Sequence, residues 1–179
     1  LTQSIQKRLL LENEITQGIQ NREFVIYLQP LMDMRTDELV GVEALVRWPQ
    51  SDNNPRPPDE FIPLAEETGL IIPLGQLIFE QACQYLADWQ SKGIGIPISV
   101  NLAAAQIDCA DFPQVLAELV KRYNVDPAKL RLEVTETGKF ENIEHSMERL
   151  RQLNKEGFAI VLDDFGIGYS NLNYLKLLS

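Results

Sequence analysis

From Pro97 onward the sequence alternates between short apolar runs and longer amphipathic ones: PISVNL, FPQVLAELVKRY, LRLEVTE, NIEHSMERLRQLNKEG, FAIVLDDF and finally YSNLNYLKLL. A strand that is followed by a helix and then by another strand returns to the same end of the sheet, so such strands run parallel. The alternation therefore predicts the α/β class. Upstream, FVIYLQPLMDM and ELVGVEALVRW are joined by Arg35, Thr36 and Asp37, a spacing that predicts an antiparallel hairpin. Five strand candidates are then visible in 179 residues. A closed eight-stranded α/β barrel takes about 250 residues, so the chain holds roughly two thirds of one; an open five-stranded sheet competes on length.

The remaining segments read as helix and loop. Ile5, Leu9, Leu10, Ile15 and Ile19 recur at near-helical spacing and predict an amphipathic opening helix, which equally suits a linker from an upstream domain. After the loop SDNNPRPP, residues Asp59 to Lys92 carry a helical pattern expected to break at Gly69 and at Pro73 and to end at Gly93.

Side chains two apart on a strand share a face. In VEALVR, Glu43, Leu45 and Arg47 oppose Val42, Ala44 and Val46. The same alternation sets Asn101 against Val100 and Leu102, Glu133 against Leu132 and Val134, and Asp163 against Ile160 and Leu162. If the apolar faces pack on helices, Glu43, Asn101, Glu133 and Asp163 converge on a mouth or cleft. Three carboxylates crowded together raise one another's pKa unless a cation offsets them. All-oxygen ligands without His or Cys favour Mg²⁺ or Mn²⁺, with Ca²⁺ as an alternative, over zinc. Asp164, next along, suits a second ion, and a two-metal centre is a device for cleaving phosphodiesters. Plainer readings compete: Glu43 and Glu133 as surface carboxylates, Asn101 as a helix cap, Asp163 and Asp164 as turn formers, and Arg131 as a structural residue at the barrel's base or in an ion pair.

Composition narrows the partners. Sixteen Lys and Arg against 26 Asp and Glu give a net charge of −10, which disfavours polymeric nucleic acid and anionic membrane and requires any bound phosphate to be held locally. The single His145 excludes sites built on several histidines and reads as a solvated helix residue. Cys83 and Cys109 lie far apart and read as reduced side chains. No apolar run reaches a membrane-spanning length and the start LTQSIQKRLL lacks signal-peptide order, so a cytoplasmic location is expected.

At Glu43, Ala44 and Leu45, followed by Arg47 and Trp48, the chain resembles the EAL domain, the bacterial cyclic di-GMP phosphodiesterase family. The ordered series makes the resemblance specific: Tyr27, Gln29 and Pro30, then DEFIPLAEETGLI, SVNLA, LEVTET and LDDFGIGYSNLNYLK. It implies a TIM-like (β/α)8 barrel with an antiparallel first strand, about five of its eight strands lying in this chain. Residues 1–20 would be a lead-in helix or linker and 21–179 the EAL domain, ending before its last strands. The implied activity is hydrolysis of cyclic di-GMP to linear pGpG with Mg²⁺ or Mn²⁺, two ions, and Ca²⁺ inhibiting. By resemblance, Glu43, Asn101, Glu133 and Asp163 would hold the first ion and Asp163 with Asp164 the second. Gln29, Leu45 and Arg47 would contact substrate, and Glu136 would steady the loop from Phe165 to Leu172, near which the family commonly forms homodimers. Ile167 and Asn171 depart from the family's loop pattern, as does the segment after Trp48. The family's catalytic lysine would lie beyond Ser179, Lys176 matching another position, so weak or absent activity and exposed strand edges are expected of 179 residues alone. A sensory or GGDEF domain upstream is a further implication. The alternative function is an inactive EAL domain acting as a cyclic di-GMP sensor or docking module.

Overall fold

The computed structural model describes residues 1–135 and 140–163. Helix α1 (Thr2–Gln20) leads into the hairpin of β1 (Val25–Met32) and β2 (Leu39–Arg47), followed by α2 (Pro58–Thr68) and α3 (Ile71–Ser91). Then come β3 (Ile98–Leu102), a short α4 (Ala104–Asp108), α5 (Phe112–Arg122), a 3-10 turn (Pro127–Lys129), β4 (Leu130–Thr135), α6 (Ile143–Lys155) and β5 (Ala159–Asp163). The helix expected after the fifth strand lies outside the described residues.

The sheet order is β1-β2-β3-β4-β5, with β1 antiparallel to β2 and every later pair parallel. Strictly sequential order is what a barrel wall requires, whereas the doubly wound open sheet reverses its strand order at a switch point. The five described strands therefore have the order of a barrel wall and not that of a doubly wound sheet. Packing agrees. Val42, Ala44, Ile98, Val100, Leu102, Leu130, Leu132 and Val134 form one buried core with Phe79, Leu86, Leu116, Met147 and Leu150 of α3, α5 and α6. On the opposite face Asn101 is exposed and Glu43, Arg47 and Glu133 are half-buried.

A second cluster fastens α1 and α2 to the end of the hairpin. The rings of Phe24, Trp48 and Phe61 lie 4.6 to 5.4 Å apart, centre to centre, and pack with Ile15, Leu64 and Leu74. The opening helix is less amphipathic in practice than its spacing suggests. Ile15 is fully buried, yet Ile5, Leu9 and Leu10 are each more than half exposed, so only the C-terminal half of α1 packs.

Gly69 ends α2 in the left-handed conformation, φ 79°, as expected. Pro73 does not break the following helix. It is the third residue of α3, where the N–H that proline lacks has no partner within the helix in any case. The five-residue α4 between β3 and α5 was not legible as a helix in the sequence, being too short to show a period. Cys83 is buried and unpaired, its thiol pushed up to about 12 chiefly by that burial and secondarily by the charge of Glu80, and Cys109 is also free. His145 is exposed on α6.

Candidate active site at the carboxyl ends of the strands

Four parallel strands, β2 to β5, carry the expected ligand positions across the sheet. Glu43 of β2 is in register with Ser99, but Asn101, two residues further along β3, donates from Nδ2 to Glu43 Oε1 at 3.2 Å. Asn101 is in register with Glu133 of β4, and Thr135, two residues beyond Glu133, is in register with Asp163 of β5. The series climbs the register as it crosses the sheet. That is the stagger of tilted barrel strands, whose shear is about one residue per strand, taken in even steps because alternate residues face opposite ways. Residues offset in register can thereby meet, as Asn101 and Glu43 do.

This arrangement decides between some of the readings left open. Asn101 does not cap a helix: Ala103 is the N-cap residue of α4, and the Asn101 side chain crosses to β2 instead. Glu43 and Glu133 are half-buried on the interior face, away from the apolar core. Arg131 lies two residues before Glu133 on that face, nearer the barrel's base, with Nη1 3.5 Å from where a Cβ on Gly41 would stand. Asp163 terminates β5, and its side chain, with the whole of Asp164 and Glu136 and the loop from Phe165 to Leu172, lies outside the described residues. Among the described residues no three Asp, Glu, His or Cys side chains gather into a metal cluster. The described donors, two carboxylates and an amide, are all oxygen ligands and fit a hard divalent cation.

The residues expected to meet substrate border these positions. Gln29 of β1 is exposed and directly opposite Glu43. Arg47, at the end of β2, donates from Nη1 to the Val46 carbonyl at 2.8 Å, and its guanidinium lies over the ring of Tyr27, 5.7 Å from the centre. That stacking was not anticipated, although Tyr27 and Arg47 both fall on the interior face by alternation. A cavity of about 700 Å³ opens beside them, lined by Leu45, Arg47, Ile62, Glu66, Asn101 and Gln106 among others. Its size suits a nucleotide. Glu43 and Glu133 do not line it; Asn101 is the residue the cavity and the ligand positions share. Partial desolvation against this wall shifts the carboxyl of Glu66, an otherwise exposed residue, upward from its ordinary value. Sequence reasoning assigned no role to Glu66 or Gln106. An acidic helix residue and a glutamine carry no signal until the fold brings them to a cavity.

The EAL domain family model matches residues 12–179. Among curated relatives, the signaling protein YkoW of Bacillus subtilis is 37% identical over 169 residues, 94% of this chain and 21% of YkoW. The bifunctional diguanylate cyclase/cyclic di-GMP phosphodiesterase MucR of Pseudomonas aeruginosa is 36% identical over 174 residues, 97% of this chain and 25% of MucR. The chain thus spans about a fifth to a quarter of the length of these relatives. The solved structure of the PaMucR phosphodiesterase with c-di-GMP superposes with a TM-score of 0.86 at 36% identity, covering 94% of this chain and 69% of that one.

Proposed function

Because the chain belongs to the EAL domain family, we propose that it forms the amino-terminal wall of a cyclic di-GMP phosphodiesterase that releases linear pGpG. The observation that carries this reading is the hydrogen bond from Asn101 Nδ2 to Glu43 Oε1, which joins two residues with oxygen ligands to offer across adjacent strands, Asn101 lining a nucleotide-sized cavity with Arg47. Glu43, Asn101, Glu133 and Asp163 would hold one divalent cation, and Asp163 with Asp164 a second. When bound, Mg²⁺ or Mn²⁺ supplies Lewis acidity at the phosphoryl group and offsets the carboxylate charge; Ca²⁺ would support binding without turnover.

The protein's own groups do the rest. Arg47 presents a planar guanidinium whose forked donors match phosphate oxygens, and the Tyr27 ring beneath it keeps that plane oriented. Gln29 faces Glu43 from β1 and supplies a neutral hydrogen-bonding group at the same mouth. Leu45 gives the cavity an apolar wall against which a purine can pack. Glu136 would brace the loop that follows β5.

The wider setting is part of the same proposal. Residues 1–20 join the EAL domain to a sensory or GGDEF domain, the site operates in the cytoplasm, and two copies associate. No described helix is long and apolar enough to cross a membrane.

The test is chromatography of cyclic di-GMP incubated with Mg²⁺ or Mn²⁺, using this chain and a longer one continued through the strand that the resemblance expects to carry the catalytic lysine. The longer chain is expected to release pGpG, and Glu43→Ala to abolish the product. No pGpG from either chain, with both metals tried at high enzyme concentration, would contradict the catalytic reading.

A further inference from the structure

We infer that Gln106 is a positioning residue for Asn101, and that the missing side chain at Gly75 is what admits it; the inference rests on the metal-site reading above. β3 ends one residue after Asn101, and Ala103 follows as the extended N-cap residue of α4. Alanine has no side-chain oxygen, so the hydroxyl half of a capping box is absent. The reciprocal half is present. Gln106, 97% buried, folds back so that its Oε1 accepts the Ala103 N–H at 2.9 Å, while its own backbone N–H donates to the Ala103 carbonyl at 3.1 Å. The backbone two residues beyond Asn101 is thereby fixed by a buried side chain.

Space for that side chain comes from α3. A Cβ at Gly75 would stand 2.0 Å from Gln106 Nε2 and 3.0 Å from its amide carbon, distances at which the amide must move. The far end of α4 is held as well. Asp108 accepts from Ser146 Oγ at 2.8 Å and from the Glu141 N–H at 3.2 Å, and Arg149 donates to the Ile107 carbonyl at 2.9 Å. A five-residue helix is too short to maintain itself, so these contacts make α4 a bracket with Gln106 as its inner arm.

Asn101 needs such support. It is exposed on the interior face, so packing does not fix its rotamer, and its backbone position decides whether Nδ2 reaches Glu43. The influence of Gln106 on Asn101 passes through the Ala103 backbone.

Three variants of the 179-residue chain test this. Gln106→Met keeps the volume and removes the acceptor. Gly75→Ala leaves Gln106 intact and displaces its amide. Gln106→Glu keeps a side-chain oxygen acceptor at the same reach, whether or not its carboxyl is ionised. Two quantities are read: the NMR signals of the Asn101 side-chain amide, assigned by their loss in Asn101→Asp, and Mn²⁺ affinity by paramagnetic resonance. Gln106→Met and Gly75→Ala are expected to shift or broaden the Asn101 signals and to weaken Mn²⁺ binding about tenfold, the lower end of the range for groups that orient ligands. Gln106→Glu is expected to stay near the parent in both. Unmoved Asn101 signals in either disrupting variant, once folded, would overturn the inference, as would a Gln106→Glu variant as impaired as Gln106→Met. If Gln106→Met does not fold, Gly75→Ala decides. A parent chain that binds no Mn²⁺ would refute the metal reading alone, because the Asn101 signals still report on Gln106.

Discussion

Arg47 and Asn101 illustrate how much of a site alternation can reveal. The face each residue occupies followed from its position in the strand, and Glu43, Leu45, Arg47, Asn101 and Glu133 all lie where a two-residue period puts them. What alternation cannot give is the offset between strands. Asn101 reaches Glu43 although the register partner of Glu43 is Ser99, because barrel strands are tilted, and that tilt is a property of closure rather than of any one segment. The stacking of Arg47 on Tyr27 was hidden for a related reason, since it joins two strands whose hairpin was expected but whose register had first to be known. The guanidinium is the group to test. Arg47→Lys keeps the charge but loses the fork and the flat face. It is expected to weaken cyclic di-GMP binding about tenfold, near 1.4 kcal/mol, in calorimetry with Ca²⁺ present; unchanged affinity would remove Arg47 from the phosphate contact.

At the level of elements, the strands and most helices were legible because their periods run long enough to be read. Two failures have physical causes. Pro73 signals a break only in a helix interior, and its place in the first turn of α3 was invisible until Gly69 had fixed where α3 starts. α4 is shorter than two turns and is held by side chains from its surroundings rather than by its own pattern. The sheet itself is held by its outer face. Leu132, in the middle of β4 and fully buried beneath the helices, is expected to cost about 2–5 kcal/mol on substitution by Ala, read from the denaturant midpoint. The start of the hairpin is tied to α3 more lightly. Arg22 meets Glu80 at 2.8 Å and, as the chief cause, holds that carboxyl below its ordinary value, with Tyr123 adding a second hydrogen bond. A carboxyl lowered in the folded state stabilises the fold above its ordinary value and stops doing so as pH falls through the lowered one. Glu80→Gln is therefore expected to lose under about 1 kcal/mol at neutral pH and nothing at a pH below that lowered value; an equal loss at both would show that the charge is not what matters.

For the whole molecule, the charge balance and the site impose one condition together. A chain carrying a net charge of −10, with carboxylates at the mouth of its barrel wall, repels a nucleotide whose phosphates are also negative. Arg47 alone does not reverse that field, so binding should depend on divalent cations added at the level of Glu43, Asn101 and Glu133. The most direct measurement is calorimetric titration of cyclic di-GMP into the chain with Ca²⁺, repeated after chelation and with Glu43→Ala. Saturable binding that disappears on chelation and in the variant is the expected result. Binding of equal strength without the cation, or none with it, would contradict the account.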